Sequence, residues 1–278
     1  LMVASATSSF GQNGGERPTV GLVLAGGGAK GAAHIGVIKL IEEVGIPIDY
    51  VAGTSMGSII GGMYALGYSS AEMDSIISNM DWSFYMSNKV DRREVSYEHK
   101  SMDSRYLIDI PFDIPKKIND RLIKGMTEEN LEDVAVIGQK SFVNSLPGGY
   151  INGNNIFNML NSLAVGYQDS INFNNLPIPY ACVSVNAMDG SQKIHRDGSL
   201  PMAMRASMAI PGVFTPVHVG NEVLVDGGML NNFPVDVCKA MGADIIIGVN
   251  LSGGLSSDKD KISALPGLLG QLFGIITG

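Results

Sequence analysis

The stretch Tyr50-Val51-Ala52-Gly53-Thr54-Ser55-Met56-Gly57-Ser58 constrains this chain more than any other. An apolar run feeds a Gly-x-Ser-x-Gly pentapeptide, and a helix-forming segment follows. The pattern predicts a nucleophile elbow, in which a serine sits on a tight strand-to-helix turn. Glycines two residues to either side, Gly53 and Gly57, leave room for the backbone to bend sharply beneath the serine side chain. Such a turn aims Ser55 Oγ away from the sheet. In a chain with 35 glycines the pentapeptide alone is a modest signal. The strand before it, the helix after it and a second glycine motif upstream give it weight.

That second motif starts with Thr19-Val20-Gly21-Leu22-Val23-Leu24-Ala25, a buried strand by composition, and continues into Gly26-Gly27-Gly28-Ala29-Lys30-Gly31. A glycine-rich loop between a strand and a helix turns several backbone N–H groups one way, at the positive end of the helix dipole. It suits an anion, either a phosphate or a transient oxyanion. From Gly31 to Val44 the spacing predicts a helix, with Ala33, Val37, Ile38, Leu40, Ile41 and Val44 on one broad arc. His34 lies in that apolar arc and is expected as a neutral, packed histidine. Gly45-Ile46-Pro47 ends the helix, and Ile48 to Ala52 makes the next strand. This is a βαβ unit of a parallel sheet, and it stands the elbow at a strand's carboxyl end, where open α/β sheets place their ligands.

After Ser55, the small residues Gly57, Gly61 and Ala65 recur every fourth position and let their helix approach the sheet or a neighbouring helix closely. Tyr68-Ser69-Ser70-Ala71-Glu72 reads as the N-cap of a second amphipathic helix, Ser70 to Met80. From Asp81 to Pro147 charges cluster and aromatics scatter without a period, as in an insertion or flap. Asn154 is expected to cap a helix running to Val165. The regular core resumes with a strand at Tyr180 to Asn186 and a short partner near Gln192 to His195. A short helix follows at Pro201 to Met208, then a hairpin of Val217–Val219 and Val223–Val225 about Gly220-Asn221. The hairpin ends at Asp226-Gly227-Gly228. Asp226 either presents its carboxylate at the sheet edge or satisfies its own turn; the triplet alone favours the turn. Asp244 to Asn250 supplies a last buried strand.

A chain of 278 residues that is 45% hydrophobic and 17% charged can bury a full core as one large domain, with or without an insertion. No apolar run reaches the roughly 18 residues of a membrane-spanning helix. A formal charge of -8 disfavours non-specific attachment to nucleic acid or anionic membrane surfaces. Cys182 and Cys238 are expected as free buried thiols. Residues 1–18 read as disordered; Leu1 to Ala6 suit the tail of a secretory signal as well as an arbitrary cloned end. Residues 251–278 read as a polar linker and an apolar, glycine-broken tail.

Three chemistries compete for the glycines. A P-loop needs Lys-Ser or Lys-Thr at its end, but Gly31 is followed by Ala32-Ala33, so that reading fails. Gly26-x-Gly28-x-x-Gly31 after a strand also fits a dinucleotide fold, which should place an acid at the end of the second strand. Here Val51-Ala52 and then the elbow occupy that position, while Asp49 stands at the strand's start. An acyl-transfer serine enzyme uses both motifs at once: Ser55 attacks and the loop amides stabilise the oxyanion. Its base is the open question. The usual α/β-hydrolase order puts the histidine last, and no histidine follows His218. His195 or His218 can serve in another order, and a Ser-Asp dyad with Asp226 as the base is chemically sufficient.

In this order and with these intervals, Gly26-Gly27-Gly28-Ala29-Lys30-Gly31, Gly53-Thr54-Ser55-Met56-Gly57 and Asp226-Gly227-Gly228 resemble the patatin-like phospholipases. The resemblance runs from about Thr19 to Asn250 and includes Arg205-Ala206-Ser207-Met208-Ala209-Ile210-Pro211-Gly212. It implies a catalytic domain over 19–250 with a three-layer α/β/α fold and a central, mostly parallel sheet, and a variable region over 81–175. It implies hydrolysis of lipid acyl esters, of phospholipase A or lysophospholipase type, with no cofactor and no metal. Ser55 would be the nucleophile, Asp226 the general base, and Gly26, Gly27 and Gly28 the oxyanion loop, with Gly27 and Gly28 its chief donors. Lys30, Gly31, Gly53, Gly57, Gly227 and Gly228 would support these motifs; Lys30 matches a usually basic position and would fix the loop or bind a phosphate. The expected partner is a lipid ester at a membrane or micelle surface, not nucleic acid, and a homodimer is compatible. Some bacterial relatives are exported passengers followed by an outer-membrane barrel. A periplasmic, outer-membrane or cell-surface location is therefore favoured slightly over the cytoplasm. The alternative is a catalytically idle lipid-binding or interaction domain of the same fold.

Overall fold

The computed structural model describes residues 17–89 and 149–251. The expected leader segment up to residue 16, residues 90–148 of the variable region, and the linker and tail after Leu251 lie outside them.

The strands in chain order are β1 (Val20–Leu24), β2 (Tyr50–Thr54), β3 (Gly149–Ile151), β4 (Ile171–Asn172), β5 (Tyr180–Asn186), β6 (Ser191–His195), β7 (Asp197–Gly198), β8 (Gly212–Phe214), β9 (Val217–Val219), β10 (Glu222–Asp226) and β11 (Ile245–Val249). The helices are α1 (Ala33–Val44), α2 (Met56–Ala65), α3 (Ser70–Asn79), α4 (Trp82–Tyr85), α5 (Asn154–Leu163), α6 (Leu200–Ser207) and α7 (Val235–Met241). Among the described residues the main sheet has seven strands in the order β11-β1-β2-β5-β10-β9, with β6 also paired to β5. Strands β11, β1, β2 and β5 are parallel to one another, whereas β10 and β6 run against β5 and β9 runs against β10. All but β10 and β6 therefore point the same way, as expected for a mostly parallel sheet. Two small pairings, β3 with β8 and β4 with β7, lie outside it.

Period-2 alternation divides the core into two faces. Leu22, Leu24, Val51, Tyr180 and Cys182 pack with buried residues of α1, α2, α3, α5 and α6. Their neighbours in the same strands, Val23, Ala52, Ala181 and Val183, pack with Val237 and Cys238 of α7. Helices on both faces of one sheet make the three layers. In α1 the buried positions Ile35, Ile38 and Ile41 are spaced by three, and Gly45 closes the helix in the left-handed region at φ 73°. Ser69 and Glu72 form a reciprocal capping box at the start of α3. Both cysteines are free and buried.

Several boundaries differ from the sequence reading. A 3₁₀ turn, Gly28–Ala32, precedes α1. Strand β2 starts two residues late and continues to Thr54, because its pairing with Tyr180–Val183 carries it up to the elbow. Gly153, not Asn154, caps α5, in the left-handed region at φ 76°. Among the described residues β11 is an edge rather than a buried strand, with Ile245 at 48% exposure.

The register of β5 brings two strand ends together. Strand β6 lies along β5 from Cys182 to Asn186. A strand has two edges, so β2, which reaches Val183, and β10, which pairs from Ser184 to Asn186, must share the other edge. They run towards each other and meet end to end, carboxyl terminus to carboxyl terminus. The elbow at the end of β2 thus faces Asp226 at the end of β10.

Candidate active site

Ser55 has φ 53° and ψ −124°, the only non-glycine residue with positive φ among the described residues. A side chain held there costs on the order of 1–3 kcal/mol, so the surroundings must over-determine it. A Cβ on Gly53 would collide with backbone atoms of Gly57 and Ser58, and one on Gly57 with the carbonyl oxygens of Leu24 and Ala25. Both elbow glycines are therefore required by backbone-to-backbone approach. The next small residue, Gly61, lies against Val51 and Leu24, so the expected small stripe seats α2 on the sheet. The Ser55 carbonyl accepts the Ser58 amide at 2.9 Å and its hydroxyl at 2.6 Å.

Ser55 Oγ donates to Asp226 Oδ2 at 2.7 Å. The other carboxylate oxygen, Oδ1, accepts the Gly228 amide at 2.7 Å. Oδ1 thus satisfies the turn that the triplet favours, while Oδ2 meets the Ser55 hydroxyl inside the protein rather than standing open at the sheet edge. Asp226 is 1% exposed. Burial pushes its carboxyl up to about 6, against the pull of the hydrogen bonds from Ser55 and Gly228. A carboxylate so placed is a strong acceptor for a hydroxyl proton near neutral pH. Gly227 is needed for packing, since its Cβ would strike the Val183 carbonyl.

The glycine loop lies beside the serine. A Cβ on Gly26 would stand 3.1 Å from Ser55 Cβ, and one on Gly31 would overlap the Met56 side chain. Gly26 drops out of the expected oxyanion donors. The Gly26 amide donates to the Asn232 carbonyl at 3.0 Å, so it is not free for an oxyanion. The amides of Gly27 and Gly28 have no hydrogen-bond partner among the described residues. Gly28 sits at φ 53°, a conformation that favours glycine. Lys30 is exposed on the same 3₁₀ turn.

None of the described histidines is hydrogen-bonded to Ser55 or Asp226. His195 Nε2 pairs with Ser184 Oγ at 2.7 Å, and burial, helped by the Lys193 charge, pushes its pKa down to about 4. His218 is exposed on β9. His34 is buried as expected, with Nε2 bound to the Ala25 carbonyl at 2.8 Å and its pKa lowered by burial. Among the described residues no group of three or more His, Cys, Asp or Glu side chains is placed to hold a metal ion, and no helix is long and apolar enough to cross a membrane.

Sequence reasoning did not find the residues that brace the site. Ser207 accepts the Ser55 amide, Ala209 accepts the Asp226 amide, and the Asn231 carbonyl accepts Thr54 Oγ1. Only the first two lay in a segment already singled out, Arg205 to Gly212.

The family model described as patatin-like phospholipase matches residues 22–239. Lysophospholipase NTE1 of Mycosarcoma maydis is 30% identical over 233 residues, covering 84% of this chain and 10% of the relative. Patatin-like phospholipase domain-containing protein 6 of Mus musculus is 28% identical over 247 residues, covering 88% of this chain and 14% of the relative. The chain thus spans a small part of the length of these relatives. Among solved structures, VipD from Legionella pneumophila aligns with a TM-score of 0.44 at 19% identity, over 78% of this chain and 47% of that one. The family model takes in the glycine loop, the elbow and the Asp226 turn, and covers well over half of the sequence. The chain belongs to the patatin-like phospholipase family.

Proposed function

We propose that the chain hydrolyses acyl esters of lipids through a Ser55–Asp226 dyad and an acyl-enzyme. The observation that carries this reading is the 2.7 Å hydrogen bond from Ser55 Oγ, on a strained elbow, to a buried carboxylate. As Ser55 Oγ bonds to the ester carbonyl carbon, its proton passes to Asp226 Oδ2. The carbonyl oxygen takes the negative charge and is met by the Gly27 and Gly28 amides. On collapse the bond to the leaving alkoxide breaks and Asp226 returns the proton to it. Water then attacks the acyl-enzyme, giving a proton to Asp226. Ser55 leaves with that proton as the fatty acid departs. Family membership and the relatives named as phospholipases and lysophospholipases support a lipid ester as the substrate class.

The test is fatty-acid release from labelled phosphatidylcholine, lysophosphatidylcholine and p-nitrophenyl esters by wild type and Ser55→Ala. Hydrolysis by wild type that Ser55→Ala lacks supports the reading. An inactive, folded wild type, or an active Ser55→Ala, overturns it. The pH dependence has a definite sign. Asp226 must be ionised to accept the proton, and its carboxyl titrates at about 6. The kcat/KM profile should therefore rise through pH 6 to a plateau and fall about tenfold per pH unit below it. An acid limb near pH 4 would contradict a buried carboxylate base.

A further inference from the structure

The junction where β2 and β10 meet is an interruption in the sheet. Thr54 lies opposite Val183 and Asp226 opposite Ser184, so the ladder along this edge of β5 changes partner between adjacent residues. A side chain from outside the sheet spans the break. Ser207, the last residue of α6, donates its hydroxyl to the Val183 carbonyl at 2.6 Å and accepts the Ser55 amide at 2.9 Å. Two residues on, the Ala209 carbonyl accepts the Asp226 amide at 2.9 Å. One short segment therefore holds the backbones of both Ser55 and Asp226. Its own helix is anchored by Arg205, which donates to the carbonyls of Asn152 and Thr215 and lies 5.0 Å from the centre of the Phe214 ring.

We propose that Ser207 is a positioning residue for acyl transfer: its hydroxyl ties the Ser55 backbone to the Val183 carbonyl and so holds Ser55 Oγ against Asp226. The proposal rests on the Ser55–Asp226 reading. A hydroxyl is the small side chain that can donate and accept at once, and Ser207 is fully buried, out of reach of bulk solvent. The Ser55 amide has no other partner among the described residues. Without the tether that amide is orphaned in the interior and the serine is free to relax from φ 53°.

The experiment compares Ser207→Ala, Ser207→Cys and Ser55→Ala with Ser70→Ala, which removes a buried hydroxyl bonded to Glu42 away from the dyad. Each is assayed for kcat, KM and kcat/KM against pH on a p-nitrophenyl ester, and for thermal unfolding. For Ser207→Ala, kcat should fall about 100-fold with KM within about twofold, the signature of misplaced reacting groups rather than weakened binding. Its acid limb should move to higher pH, because the Ser55 hydrogen bond that lowers the Asp226 pKa is weakened. Ser207→Cys, with a weak donor and acceptor, should fall between, and it carries the test if the alanine variant does not fold. Ser70→Ala should lose stability but not kcat. Wild-type kcat and acid limb in Ser207→Ala, or in Ser207→Cys if only that variant folds, would overturn the proposal, as would an equal kcat loss in Ser70→Ala. An active Ser55→Ala would instead remove the dyad reading itself.

Discussion

Asp226→Asn is expected to lower kcat about 1,000-fold, within the range for loss of a general base, while raising stability at alkaline pH. The amide is nearly isosteric, can keep the Gly228 contact through its carbonyl oxygen, and can donate to Ser55 Oγ where the carboxylate accepted. It cannot take the proton. The stability gain follows from linkage. The folded-state pKa of Asp226, about 6, lies above the ordinary value of 3.8. The stability associated with its protonated form is thus fully present below pH 4 and lost as pH rises through 6. At pH 8 the buried charge costs the wild type roughly 3 kcal/mol, which the asparagine variant avoids. Urea unfolding of both proteins at pH 8 and near pH 4 checks this. The variant should be the more stable at pH 8, and the difference should shrink at the lower pH. A variant less stable at pH 8 would mean that the site does not strain against a buried charge.

Gly57→Ala sets two principles against each other. Inside a helix, alanine is favoured over glycine by about 1 kcal/mol, so propensity alone forecasts a more stable protein. The structure forecasts the reverse. A Cβ at position 57 would lie 2.6 Å from the Ala25 carbonyl oxygen and closer still to that of Leu24. Both are backbone atoms of β1 and the loop after it, which cannot swing aside as a side chain can. Overpacking of this kind costs about 1–3 kcal/mol or more, and the displaced helix would carry Ser55 away from Asp226. Loss of stability together with loss of activity is expected. Gly36→Ala, on the exposed side of α1 with nothing within 4 Å of its Cβ, provides the contrast. It should gain stability by about 0.5–1 kcal/mol with unchanged activity. Thermal unfolding of the two variants side by side distinguishes sterics from propensity.

The local features of the site were legible in the sequence, and the long-range ones were not. An apolar run, then Gly53 and Gly57 about Ser55, dictates a strand, a turn and a helix through sterics that act within a few residues. The glycine loop before α1 was readable for the same reason. The meeting of Ser55 with Asp226 spans 171 positions and depends on β2 and β10 sharing one edge of β5. Periodicity carries no information about that register: chemistry offered Asp226 as one candidate base beside His195 and His218, and the family resemblance singled it out. The Gly26 amide looked equivalent to its neighbours because the Asn232 carbonyl that claims it comes from far along the chain. Strand β11 reads as buried because Ile245, Ile246 and Ile247 are apolar, but burial depends on what lies beyond β11, and among the described residues it stands at the sheet's edge. The role of Ser207 follows from a break in the ladder, which no spacing rule reveals.

The dyad is tested most directly by the pH dependence of covalent labelling with a fluorophosphonate, with the adduct mapped by mass spectrometry. Wild type, Asp226→Asn and a His195→Ala/His218→Ala double variant are compared, each checked for folding. The expected result is a single adduct on Ser55, formed with a rate that rises through about pH 6, is unchanged in the histidine variant and is strongly slowed in Asp226→Asn. An adduct at another residue would contradict the Ser55–Asp226 assignment. So would a Ser55 rate that collapses when the histidines are removed and is indifferent to Asp226.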